Sequence, residues 1–158
     1  WCQGDWALLQ AGASRVHDLS GQFRFPLWAG GSSLLLLCCQ ARQGQMGDTA
    51  ALHAAAHQMR GAYQAGITTS RWMVASALMA QGLHEQALPL LEQACREAMH
   101  HEDQYCVPQM QMLLARCHQR AGDPTLSQIL ALEAREAARH MGAQGLLRLW
   151  DQAASVSD

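Results

Sequence analysis

Apolar residues recur along this chain at the three-and-four spacing of an α-helix, with polar positions on the intervening faces. Strict apolar–polar alternation is absent and β-branched residues are scarce, so no strand is predicted. The pattern predicts eight helices near Asp5–Ser20, Pro26–Gln43, Asp48–Gln64, Thr68–Gln81, His84–His100, Tyr105–Arg120, Pro124–Met141 and Gln144–Ala154. Connections of two to five residues force consecutive helices to lie side by side and antiparallel. The fold class is therefore all-α.

Local punctuation agrees. Asp123 followed by Pro124 supplies a capping oxygen and a proline at the first helical position, where the missing N–H costs nothing. Asp48 after Gly47 is placed to cap the third helix in the same way. Gly66, Gly82 and Gly122 follow helices at points where a left-handed residue is wanted. Pro89 and Pro108 each fall about a turn inside a predicted helix, so those helices start later or bend.

Gly44, Gly82 and Gly122 each end one apolar helical stretch and open another, 38 and 40 residues apart. Five residues after them stand Thr49, Ala87 and Ser127; twelve after stand Ala56, Ala94 and Ala134; seven before stand Leu37, Ala75 and Ala115. Small residues at fixed offsets let paired helices lie close together. This register resembles the tetratricopeptide repeat, most clearly at Gly82-Leu83-His84-Glu85-Gln86-Ala87 with Leu91 and Ala94. The Gly44 unit departs from it, with Thr49 and His53 where Ala and a large apolar residue are usual. The period exceeds the usual length of about 34 residues. It is similar to the longer repeats in C-terminal arrays of bacterial ATP-dependent regulators, both LuxR-type activators and ATPases linked to adenylate-cyclase domains. The stretch from Ala131 to Ala143, with Leu146-Leu147-Arg148 after it, looks like the end of such an array. The resemblance implies about four stacked antiparallel hairpins in a right-handed superhelix, forming one domain over residues 1–158. Repeat-like pairs fall at about 26–64, 68–101 and 105–141, with partial helices at both ends. An unspecialised helical bundle, in which Ala and Gly recur by composition alone, is the alternative.

Composition narrows the function. Hydrophobic residues make up 49% of the chain and charged residues only 15%, which leaves a neutral surface that suits cover by a neighbour. With a net charge of −2, no lysine and no basic cluster, direct nucleic-acid binding is not expected. The start at Trp1, with no signal-peptide pattern, suggests a piece of a longer protein. Leu34-Leu35-Leu36-Leu37-Cys38-Cys39 is far shorter than the roughly 20 apolar residues of a membrane span and reads as a buried helix. The six cysteines, Cys2, Cys38, Cys39, Cys95, Cys106 and Cys117, sit mostly within helices and read as reduced thiols of a cytoplasmic protein.

Catalytic and metal chemistry find little footing. His53 and His57 share a helix face, and His100, His101, Glu102 and Asp103 cluster at a helix end, but neither group has a defined third ligand. No nucleophile elbow occurs, Cys106 and Cys117 have only a chance neighbour in His118, and Gly30-Gly31-Ser32-Ser33 lacks the lysine of a phosphate loop. Neither an enzyme, nor a metal, nor a cofactor is expected.

In tetratricopeptide arrays the first helix of each pair lines the concave face. The resemblance therefore implies groove positions counted back from each turn glycine. They are Thr69, Trp72, Ser76, Met79 and Ala80 before Gly82, and Gln109, Met112, Arg116, Gln119 and Arg120 before Gly122. The degenerate Gly44 unit adds Gly31, Leu34, Cys38, Ala41 and Arg42. Trp72 and Met112 would offer apolar contact, and Arg42, Arg116 and Arg120 would grip a carboxylate. Trp72 in the core and solvated arginines remain the alternative. Two functions stay open: a module binding a peptide or partner domain in its groove, or a spacer that associates mainly with itself.

Overall fold

The computed structural model describes residues 5–45, 48–62, 66–100 and 104–155. α1 (Trp6–Phe23) starts where the Asp5 carboxylate accepts the Leu8 N–H at 2.9 Å. α2 (Pro26–Arg42) opens on proline. α3 (Thr49–Ala62) begins behind Asp48, whose Oδ1 accepts the Ala50 N–H at 2.8 Å. α4 (Gly66–Ala80) and α5 (His84–His100) follow, then a short 3-10 turn at Gln104–Cys106 and α6 (Val107–Arg120). α7 (Pro124–His140) is capped by Asp123, which accepts the Leu126 N–H at 3.0 Å, and α8 (Gln144–Ser155) ends the set. Among the described residues every regular element is helical, as the periodicity requires.

The turn glycines act as the sequence suggests. Gly44, Gly82 and Gly122 have φ of +71°, +77° and +83°, which a side chain would strain. After each, the next N–H reaches back over the helix end, Gln45 to Gln40, Leu83 to Leu78 and Asp123 to His118, each at 2.9 Å. Gly142 ends α7 in the same way at φ +67°. Gly66 departs from expectation, since it is the first residue of α4 rather than a cap. The left-handed cap of α1 is Arg24, at φ 56°. Gly47 lies outside the described residues, as do Cys2, His101, Glu102 and Asp103. Pro108 falls at the second position of α6, which duly starts later than expected, at Val107. Pro89 behaves differently: α5 still starts at His84 and carries the proline inside, at an exposed position of the helix.

Each helix packs against its chain neighbour, most lightly between α7 and α8, and α2 also lies against α4. The core is a ribbon running from α2 through α6, with Leu34, Leu52, Leu78, Leu91 and Met110 wholly enclosed. A smaller cluster of Ala134, Ala138, Leu146 and Trp150 joins α7 to α8. The repeated alanines are enclosed: Ala56, Ala94 and Ala134 are all buried, and Ala87 is completely covered. The run from Leu34 to Cys39 lies inside α2, with Leu34, Cys38 and Cys39 buried. No described helix is long and apolar enough to cross a membrane. The Gly30-Gly31-Ser32-Ser33 stretch is likewise part of α2, and at Gly30 the backbones of α2 and α3 come close enough to exclude a side chain.

Candidate anion-binding cavity

α2, α4 and α6 turn one face toward a shared cavity of about 630 Å³. α4 contributes Trp72, Ser76, Met79 and Ala80, spaced so that all project from one side of the helix. By the same spacing α6 contributes Gln109, Met112, Arg116, Gln119 and Arg120. Cys38 and Arg42 come from α2. Trp72 is only 4% exposed, so its body belongs to the core and an edge faces the cavity.

Four expected positions do not line it. Thr69 sits toward the start of α4, with its hydroxyl 3.8 Å from Cys106 Sγ. Leu34 and Ala41 are core residues of α2, and Gly31 faces the Met59 thioether. In this degenerate unit the offsets rotate these residues into the α2–α3 and α2–α4 contacts.

Three elements outside the expected set complete the walls. α1 adds Trp6, over whose ring the Arg42 guanidinium lies at 4.5 Å. His84 enters from the start of α5. α8 adds Leu146, Leu149, Trp150 and Ala153. Their three-and-four spacing marked an apolar helix face in the sequence, without indicating what it would cover.

The electrostatics are one-sided. Arg42, Arg116 and Arg120 all face the cavity, and among the described residues no carboxylate lines it. Among the described residues none of the three has an ion-pair partner; the arginine pairs lie elsewhere, at Arg71–Glu97 and Arg135–Asp151. Partial loss of water, then the nearby charge of Arg42, lowers the Arg116 pKa. Desolvation, then Arg120, lowers that of His84, whose buried Nδ1 has no hydrogen-bond partner.

The thiols at and beside the cavity are not activated. The Cys117 thiol lies 3.2 Å from Met79 Sδ, and burial pushes its pKa up to about 11. Cys38 donates to the Met73 carbonyl at 3.3 Å and is raised further by burial. A thiol so shifted holds its proton at neutral pH and is a poor nucleophile. His53 and His57 are exposed on α3, and no group of three or more metal-ligating His, Cys, Asp or Glu occurs among the described residues. The arrangement is suited to holding an anion against apolar walls. No protein-family model matches this chain, and no curated protein or solved structure matches it.

Proposed function

We propose that this chain is a non-catalytic helical-repeat binding module whose inner face holds an acidic or C-terminal protein segment. The observation that carries the reading is the cavity's charge. A chain of net charge −2 directs three guanidinium groups into one concavity, and among the described residues no carboxylate lines it with them. Uncompensated like charges disfavour one another, and an incoming anion relieves that cost while gaining paired N–H···O bonds. The recurring glycine turns, with buried alanines twelve residues beyond three of them, support a tetratricopeptide-like right-handed stack of hairpins. In such a stack α2, α4 and α6 form the concave side. A cytoplasmic signalling or transcription regulator is the setting the resemblance suggests, and another domain of the same parent is a natural source of the segment.

The test is binding of fluorescently labelled acidic peptides to the wild type and to Arg116→Ala/Arg120→Ala. Losing charge-assisted bonds of about 1.5–3 kcal/mol each weakens binding tenfold or more per arginine. Equal affinities would place the site elsewhere.

A further inference from the structure

The cavity has two chemical sides that meet at one helical turn of α6. Arg116 and Arg120 stand one turn apart on that helix, and Arg42 of α2 lies close enough to act on Arg116 through its charge. One turn toward the helix start, Met112 packs against the cluster that contains Leu146 and Trp150. A helical turn advances about 5.4 Å, so the residue carrying the first guanidinium and the one touching the apolar wall are neighbours on a single face of α6. The wall itself is α8, whose Leu149 and Ala153 extend it along the cavity. Its contact with α7 is light, and the partly exposed Arg135–Asp151 pair, at 2.6 Å, joins the two helices.

We infer that the cavity is a site for an amphiphilic acid, its carboxylate held by Arg116, Arg120 and Arg42 and its apolar body lying along Met112, Leu149 and Trp150. The inference rests on the binding-module reading and specifies the chemistry that the module selects. A guanidinium fork recognises a carboxylate by two parallel N–H···O bonds, which neither an alcohol nor an amide reproduces. An acidic segment without an apolar neighbour would leave the α8 wall wet, whereas an apolar chain displaces that water. A volume of about 630 Å³ is ample for one such group. The same chemistry has two sources, the last residue of a peptide ending in an apolar side chain or a free small acid.

The experiment is calorimetric titration of the whole 158-residue chain with acetate, butyrate, hexanoate and octanoate, and with octan-1-ol. Two peptide probes, acetyl-Gly-Gly-Leu-Leu with a free carboxylate and the same peptide amidated, accompany them. Affinity should rise by about fourfold per methylene as the chain covers the α8 wall. Octan-1-ol should bind at least about tenfold more weakly than octanoate. Arg116→Gln/Arg120→Gln, both at exposed positions, should weaken octanoate at least about tenfold, toward the level of the alcohol. Leu149→Asn should flatten the length series and leave acetate unchanged. Tighter binding of the free-ended peptide than of octanoate identifies a chain terminus as the source, and the reverse identifies a small acid. Equal binding of octanoate and octan-1-ol, a flat length series in the wild type, or an unchanged Arg116→Gln/Arg120→Gln variant would overturn the inference. If an amidated acidic peptide binds through the arginines while octanoate does not, this inference fails and the binding-module reading survives.

Discussion

Adjacent glycines in α2 should respond to the same substitution with opposite signs. A Cβ at Gly30 would stand 2.7 Å from the Met59 backbone nitrogen and 3.1 Å from both Gln58 C and Met59 Cα. Ordinary carbon contacts are about 3.5–4.0 Å, so α2 and α3 must separate by most of an ångström. Both partners are main-chain atoms of helices, and no rotamer change relieves the contact. The separation also loosens the enclosed leucines beside it, Leu34 on α2 and Leu52 on α3. Overpacking of this kind costs about 3 kcal/mol, the upper part of its usual range. Alanine's better helix propensity returns about 1 kcal/mol, leaving Gly30→Ala destabilised by about 2 kcal/mol. At Gly31, among the described residues, a Cβ would meet the Met59 thioether sulfur at 3.9 Å, an ordinary contact with a flexible side chain. Gly31→Ala should therefore gain about 0.5–1 kcal/mol. In a chain of this size the melting temperatures should move by roughly 6 °C down and 3 °C up, respectively. Urea unfolding followed by far-ultraviolet circular dichroism measures both, and unchanged m-values show that the denatured state is comparable. If both variants shift in the same direction, the close approach of α2 and α3 at Gly30 is wrong.

Ala94 is completely buried in the core ribbon at the α4–α5 packing, so Ala94→Leu should lose roughly 1–3 kcal/mol by overpacking, and an unaltered melting curve would contradict that crossing. Two left-handed helix ends should respond oppositely to a change of residue type. Gly82 lies at φ +77° with open space around a Cβ, so Gly82→Ala should cost about 1 kcal/mol from backbone strain alone, whereas Arg24→Gly at φ 56° should gain about 0.5–1 kcal/mol, both read by denaturant midpoint. Burial raises the thiol pKa of Cys95 and Cys117 to about 11 from an unfolded value of 9.0, and raises Cys38 as well. Between those values the unfolded chain has released protons that the folded chain retains, so stability is full below about pH 9 and falls as pH rises. Melting temperature measured from about pH 8 to about pH 11 should drop more steeply for the wild type than for Cys117→Ala, and parallel curves would show that this thiol does not contribute.

What the residues determined by themselves is what depends on neighbours within about a turn. Helix ends at Asp123-Pro124 and at Gly44, Gly82 and Gly122 are settled by interactions within five residues, and these were legible. So was the shared face of Trp72, Ser76 and Met79 or of Met112, Arg116 and Gln119, because a helix fixes the direction of each side chain relative to the turn that ends it. The same logic failed at Gly31, Leu34 and Ala41, where the face is right for a regular unit but α2 is packed on both α3 and α4. Tertiary structure decided the rest. Gly30 reads as one more small residue until α3 is laid across it. Trp6 on Arg42, His84 beside Arg120 and the α8 wall against Met112 bring together residues far beyond the reach of a single helix along the chain. Three arginines come to face one cavity only when their helices converge, since charge repulsion and desolvation depend on separation in space and not on distance along the chain.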